Sequence, residues 1–564
     1  MVTGLLGDAV AAQLAARPEA PAVVEVGAHA DRAWSWRQLA DATAAARAEL
    51  QARGVGPGEP VAYQLANRLE FVALSLAIIE CGATCMPLMP IFRERELEFM
   101  LAAAAPRVLY VPDRFRGHDH RAMAQGIAPR VPSLQHVLAI PDAARGQTWP
   151  ESVSSVGQAP EASPSATGPS ATGPSATGPT ATGPSATGPT GPGRATRPSA
   201  ASAAQHVDLL FTSGTSGEPK GALHRHDRLM GATARHIDHF GLTQADVIFC
   251  PAPLAHQTGF LYGMWLALTL GATLVVQEVW NGEAGFAAIR RHRVSFVQVA
   301  TPFLADLVAE AEARAQTPET LRIFVATGAA VPRELARRAR TVLGADVGGG
   351  FGSTETCMAA AFVPGEAAEA AWQTDGRALA DVVLRVVDDA GQAVPAGVEG
   401  NFEIGTPTLF SGYLDQPELT AAALTDDGFY RTGDLARIDA DGYLRITGRT
   451  RDVINRGGEK VPVAEVEQLM YEITGVAEVA IVAMPDLRLV ERACAFVVMA
   501  PGAGGDLELA AVQDHLDARR LSKPYWPERV EVVDALPKTP SGKIKKFVLR
   551  EWAAALVEDK VGMK

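Results

Sequence analysis

The stretch Asp208–His224, DLLFTSGTSGEPKGALH, sets the strongest constraint on what this chain can become. Leu209, Leu210 and Phe211 form a short apolar run that reads as the end of a buried strand. Thr212, Ser213, Gly214, Thr215, Ser216 and Gly217 follow at once, with Lys220 and Gly221 just behind. Small residues let a backbone approach a ligand closely, and their N–H and hydroxyl donors suit phosphate oxygens. Lys220 adds a point charge on a long stem. The spacing does not fit a Walker loop, because Gly214 is not followed five residues later by Gly-Lys-Ser/Thr. Taken alone, such a loop is more often a plain connector than a phosphate site.

The chain has 564 residues, more than one hydrophobic core usually organises, so at least two domains are expected. Hydrophobic residues at 47% and charged ones at 20% describe an ordinary globular protein. A formal charge of −13 argues against nucleic acid or an anionic membrane as the main partner, while leaving room for anionic small ligands at local Lys and Arg. Cys81, Cys85, Cys250, Cys357 and Cys494 are sparse and odd in number, which fits buried thiols in a reducing compartment. The N-terminus lacks the basic and apolar regions of a secretory signal. Val247–Gln277 is long and uncharged enough to raise a membrane span, but Pro251, Pro253, His256, Gly259 and Gly271 divide it. A strand, a loop, a helix near 260–270 and a strand near 273–277 are expected instead, in a soluble cytoplasmic protein with no membrane insertion. The pairs His118/His120, His224/His226 and His236/His239 lack a matching third ligand, so zinc is not expected.

Along the chain, Ser35 with Gln38 forms a capping box, and Leu39, Ala42, Ala46 and Leu50 share one helical face. Strand-like Val61–Leu65, helix-like Phe71–Cys81 and strand-like Ala83–Leu88 follow, an alternation that argues for a parallel α/β sheet. Residues 163–203 interrupt it with five copies of Ser/Thr-Ala-Thr-Gly-Pro. Having no large apolar residue, this insertion reads as a disordered linker or loop. From 381 to 447 short strands and turns point to a small antiparallel barrel or sheet. A charged run at Arg449–Asp452 then precedes a compact α+β pattern, which puts the domain boundary between 448 and 449.

Five further motifs carry chemistry. His256-Gln257-Thr258-Gly259-Phe260 sets an imidazole and an amide in apolar surroundings, either as a satisfied core pair or as a pocket lining. Thr327-Gly328-Ala329-Ala330 follows an apolar strand and leaves room for a flat ligand. In Phe351-Gly352-Ser353-Thr354-Glu355 an aromatic ring can stack on a purine, Thr354 can bond a phosphate and Glu355 can hold Mg²⁺. In Tyr430-Arg431-Thr432-Gly433-Asp434 the carboxylate suits a vicinal diol, since it accepts two bonds at once. Near the end, Pro537-Lys538-Thr539-Pro540-Ser541-Gly542-Lys543 puts an ammonium group on a glycine-bearing loop.

Together, and in this order, these strings resemble the adenylate-forming superfamily of acyl-CoA synthetases, luciferases and peptide-synthetase adenylation domains. The HQTGF string is most similar to medium-chain fatty-acid and cyclohexanecarboxylate CoA ligases; aryl-acid-activating members carry Asn where this chain has Gln257. The resemblance implies a large N-terminal domain of two α/β subdomains plus a small β-barrel, and a smaller mobile α+β C-terminal domain. It implies the substrates ATP, a carboxylic acid and coenzyme A, with Mg²⁺ at Thr215 and Glu355. Thr212–Gly217, Lys220, Gly328–Ala330, Phe351–Ser353, Asp434 and Arg449 would bind nucleotide. His256, Gln257, Gly259 and Phe260 would line the acyl pocket, and Lys543, Glu355, Thr354 and His256 would serve catalysis. Arg451, where the family has Asp or Lys, would be the hinge, and Gly457, Gly458 and Glu459 would line the thiol channel. A carrier protein as acyl acceptor, a luciferase-like oxygenase and a non-catalytic acyl-nucleotide sensor stay open as rivals, as does a homodimer.

Overall fold

Near-continuous apolar runs of four or five residues, separated by helices, can be buried only where both faces of a parallel sheet are covered. Two such sheets form. The computed structural model describes residues 4–27, 30–141, 154–158, 203–212, 219–328, 331–366, 368–456, 459–486, 489–503, 507–539 and 542–561. The insertion therefore lies outside the described residues up to Ser202.

The larger sheet has nine strands. Its centre is six parallel strands, Asp346–Ser353, Ile323–Thr327, Phe296–Ala300, Val247–Cys250, Thr273–Gln277 and Pro21–Val26, in that spatial order. The second sheet has eight, with His206–Thr212, Thr84–Pro87, Pro60–Tyr63, Val108–Pro112 and His136–Ile140 running parallel at its centre. The expected Ser35 capping box is formed: Ser35 and Gln38 exchange side-chain bonds at the start of helix Trp36–Ala52, which buries Leu39, Ala42, Ala46 and Leu50. Helix Leu69–Glu80 is buried along almost its whole length between the layers.

The small antiparallel unit is an open four-stranded sheet, Val383–Val387, Gly400–Gly405, Tyr430–Ile438 and Leu444–Arg449. Of the two forms expected for it, barrel or sheet, the chain adopts the sheet. Beyond a 3₁₀ turn at Thr450–Asp452 lies an α+β unit. Its long edge strand Val476–Asp486 sends Val479 and Ile481 into one apolar cluster and Ala480 and Val482 into another, as a period of two requires. Helices Val463–Tyr471 and Leu509–Ala518 cover the first face; Lys546–Val561 covers the second. No helix among the described residues is long and apolar enough to cross a membrane, and all five cysteines are free thiols.

Candidate active site

In open parallel sheets, ligands bind in the crevice outside the carboxyl ends of the strands. Here those ends are Ala300, Thr327 and Ser353 of the larger sheet and Thr212 of the second. Thr212, Thr327 and Ser353, at the ends of these strands, belong to motifs singled out above.

Thr212 stands directly opposite Lys220 in an antiparallel hairpin. Ser213, Gly214, Thr215, Ser216 and Gly217, the tip of that hairpin, lie outside the described residues. The Lys220 ammonium sits 5.4 Å from the Tyr413 ring centre. The Tyr413 hydroxyl in turn donates to Glu355 Oε1 at 2.8 Å. Tyr413 belongs to the edge strand Gly412–Tyr413 that pairs with Lys220–Arg225, so one tyrosine ties the hairpin lysine to the carboxylate of the other sheet. Glu355 is nearly buried, and its own carbonyl accepts from Phe410 N–H at 2.7 Å. Its carboxylate beside Tyr413 raises the tyrosine's pKa, second only to burial.

Upstream of Glu355, a bulge between Phe351 and Gly352 bends the strand. A side chain at Gly352 would stand 2.4 Å from the Cys357 carbonyl, so only glycine permits the turn. Ser353 is engaged with Thr356, both Oγ atoms lying 3.1 Å apart, while Thr354 occupies the turn itself. Phe351 is held edge-on by Phe402, with centroids at 5.3 Å. Asp434 is buried and paired in register with Arg449, whose Nε donates to Oδ1 at 2.9 Å.

The His256 region is built for close packing. His256 Nδ1 accepts the Thr258 N–H at 3.2 Å, which leaves the ring proton on Nε2. Burial, with the Lys543 charge next, pushes its pKa down to about 3, so the ring is neutral near pH 7. Gln257 donates to Cys357 Sγ at 3.7 Å. Gly259 and Phe260 have a different situation. A side chain at Gly259 would stand 2.2 Å from the Pro253 carbonyl, and Phe260 is fully buried near Trp265. Both therefore shape the pocket's support by packing. The expected helix near 260–270 begins as a π-helical turn, Phe260–Trp265, with Gly263 pressed against Cys250.

Lys543 lies on a tight loop closed by Thr539 N–H to Lys543 O at 2.7 Å and Gly542 N–H to Thr539 O at 2.9 Å. The loop is docked on the rim. Lys543 Cε is 3.5 Å from where a side chain at Gly328 would begin, and Gly542 abuts Ala300 and Pro302. Gly328 itself has φ +80°, a conformation that favours glycine. Ala329, Ala330, Gly457 and Gly458 lie outside the described residues, as do the side chains of Arg451 and Glu459. Arg451 falls within the Thr450–Asp452 turn, which Asp452 anchors to Arg550 at 2.7 Å.

Two residues escaped the sequence reading. Asp375 is packed near Gly349, with its Oδ2 accepting Ile446 N–H at 2.8 Å. Burial first, and also Asp434, push its pKa up to about 6. Only a turn-like Asp-Gly pair marked it in the sequence. Tyr413 had no signal at all, since its partner is 58 residues away. Among the described residues no three His, Cys, Asp or Glu side chains form a metal-holding group. A single buried carboxylate beside a phosphate-type hairpin fits Mg²⁺ of the kind held mainly by substrate phosphates and water.

Comparison with known proteins follows this geometry. The family described as AMP-binding enzyme matches residues 10–414, and the AMP-binding enzyme C-terminal domain matches 465–543. The chain is 33% identical over 555 residues to the medium-chain fatty-acid–CoA ligase of Escherichia coli K12, covering 97% of this chain and 91% of that protein. It is also 33% identical over 526 residues to a Mycobacterium tuberculosis 3-(7a-methyl-1,5-dioxo-octahydroindenyl)propanoyl:CoA ligase, covering 92% and 94%. Among solved structures, ATP-bound MatB from Rhodopseudomonas palustris matches with TM-score 0.79 at 25% identity, over 97% of this chain and 99% of that one. The chain belongs to the AMP-binding enzyme family and is an adenylate-forming acid ligase.

Proposed function

We propose that the protein activates a medium-chain or alicyclic carboxylic acid with MgATP to an acyl-adenylate and then transfers the acyl group to coenzyme A. The observation that carries this is the docking of Lys543 beside His256 and Gly328, together with the Lys220–Tyr413–Glu355 chain. In the first step the acid's carboxylate attacks the α-phosphorus and pyrophosphate leaves. The Lys543 ammonium stabilises the charge that builds on the α-phosphoryl group, and Lys220 with the hairpin amides holds the departing phosphates. Neutral His256 can donate its Nε2 proton to the carboxylate without pairing it as a salt. Thr215 and Glu355 would hold Mg²⁺, which supplies charge neutralisation on the phosphates.

Asp434 would accept the ribose hydroxyls, with Arg449 orienting it. Phe351 offers an aromatic face, and Gly328, Ala329 and Ala330 an open wall, for the base. We take residues 449–564 as the unit that turns about Arg451 after adenylation and presents Gly457–Glu459 to the thiol. The names of the two relatives, a fatty-acid and a ring-bearing propanoyl CoA ligase, support an acid with an aliphatic or alicyclic tail.

The test is CoA-thioester formation with MgATP across hexanoate, octanoate, cyclohexanecarboxylate, benzoate and acetate, with pyrophosphate followed in parallel. Thioester from the aliphatic or alicyclic acids is expected. Pyrophosphate without a CoA product would replace coenzyme A by a carrier-protein acceptor, and neither signal would overturn the reading. A second expectation concerns Asp434→Ala. Losing charge-assisted bonds of about 1.5–3 kcal/mol should raise the KM for ATP roughly 10- to 100-fold. The KM for the acid should stay within a few-fold.

A further inference from the structure

The strand Phe296–Ala300 runs from the core up to the rim, and alternate residues share one face. Ala300 meets the catalytic-lysine loop at Gly542, whereas Phe296 is edge-on to the His236 ring at 5.8 Å. Gln298 lies between them on that face, about 6.6 Å deeper than Ala300 at the usual strand rise. His236 stacks on Tyr262 at 4.9 Å, next to Gln298. Tyr262 neighbours Cys357, to which Gln257 donates. Side-chain neighbours thus link His256 at the rim through Gln257, Cys357 and Tyr262 to His236 and Gln298, the floor that a bound acyl tail would reach.

That floor is polar where a hydrocarbon tail would need it apolar. His236 is fully buried and Gln298 and Gln257 nearly so. Neither His236 ring nitrogen, neither amide atom of Gln298, nor Gln257 Oε1 has a well-formed hydrogen bond among the described residues. Side-chain adjustment does not remove the problem. An imidazole and an amide side by side can exchange one bond, which leaves the second ring nitrogen and the other amide atom unmet. Groups desolvated in this way are costly beside a purely hydrocarbon ligand and favour one that carries a donor or acceptor.

We propose that the acid substrate carries a hydrogen-bonding group, a ketone or hydroxyl, on the distal part of its tail, recognised by His236 and Gln298 with Gln257 along the way. This rests on the acyl-activating function proposed above. It also refines the substrate from an unadorned aliphatic or alicyclic acid to an oxygenated one. Both recognising residues are neutral and can donate or accept, so the pocket selects an uncharged polar group and disfavours a second carboxylate.

The experiment compares matched acids in the holoenzyme reaction, with MgATP and coenzyme A: cyclohexylpropanoate against its ring ketone and ring alcohol. Pyrophosphate release gives kcat/KM for each. The wild type should prefer an oxygenated acid by at least about tenfold, and Gln298→Leu should reduce that ratio to within about twofold of unity. His236→Phe should act in the same direction. Each ratio is taken within one preparation, so a variant that folds only in part still reports its selectivity. Equal or better use of the hydrocarbon acid by the wild type, or an unchanged ratio in Gln298→Leu, overturns the proposal while leaving acyl activation intact. Pyrophosphate from none of the acids, octanoate included, overturns the underlying function and the proposal with it.

Discussion

Replacing Lys543 by alanine is expected to slow acyl-adenylate formation by about 10²- to 10³-fold, the usual cost of removing one preorganised charge donor from a transition state. Thioester formation from supplied acyl-adenylate should stay within a few-fold of the parent. The loop that carries Lys543 is closed by its own backbone bonds and by Thr539 Oγ1, which accepts the Lys543 N–H at 3.0 Å. Alanine removes the ammonium group and leaves that closure in place. Lys220 is engaged over the Tyr413 ring instead. Arginine should not restore activity, since the side chain already passes within 3.5 Å of the position a Gly328 side chain would take and a planar guanidinium needs more room. The measurement is single-turnover adenylate formation and, separately, thioester formation. Equal loss in both steps would mean that one conformation serves both reactions.

Sequence reading succeeded where chemistry is local. The capping box at Ser35 and the apolar strand just before Gly328 each sit in a motif whose spacing carries its own geometry. The docking of Lys543 on the rim could be expected only through resemblance, because 215 residues separate it from Gly328. Tyr413 and Asp375 were invisible for the same reason: each acts through a partner that only tertiary folding supplies. His236 entered the sequence reading only in the His236/His239 pair and Gln298 not at all, because nothing in the period of their helix and strand marks them as unpartnered. Gly259 and Phe260 belong to a string that resembles a pocket motif, and the close approach to Pro253 and the buried ring give them packing contacts beside His256.

Mild acid should destabilise the fold through its buried histidines. His120, His224, His226 and His236 are buried and, chiefly by burial, pushed down from 6.5 to about 4, 4, 4 and 3. Native rings therefore stay neutral where unfolded ones take up protons, so stability is fully present above pH 6.5 and falls as the pH drops towards 4. Carboxyls with raised pKa work in the opposite sense. Asp208 faces His224 across the hairpin, is fully buried and has its pKa raised well above 3.8; Asp375 is raised to about 6, and Glu25, Glu49 and Glu80 are raised too. Each binds its proton more tightly in the native state than in the unfolded chain, which offsets part of the histidine effect. His256, lowered to about 3, joins the histidines, and His136, His206 and His239 are lowered too. They outnumber the carboxyls, so unfolding takes up protons below pH 6.5, at about 1.4 kcal/mol per proton and pH unit. Against a total stability of about 5–15 kcal/mol, each such proton counts. Urea midpoints measured at pH 7.5, 6.5 and 5.5 should show little change over the first interval and a marked fall over the second. His224→Gln should reduce the fall by about one proton's worth. A flat profile would mean that the buried rings are charged in the native state, which their apolar surroundings oppose.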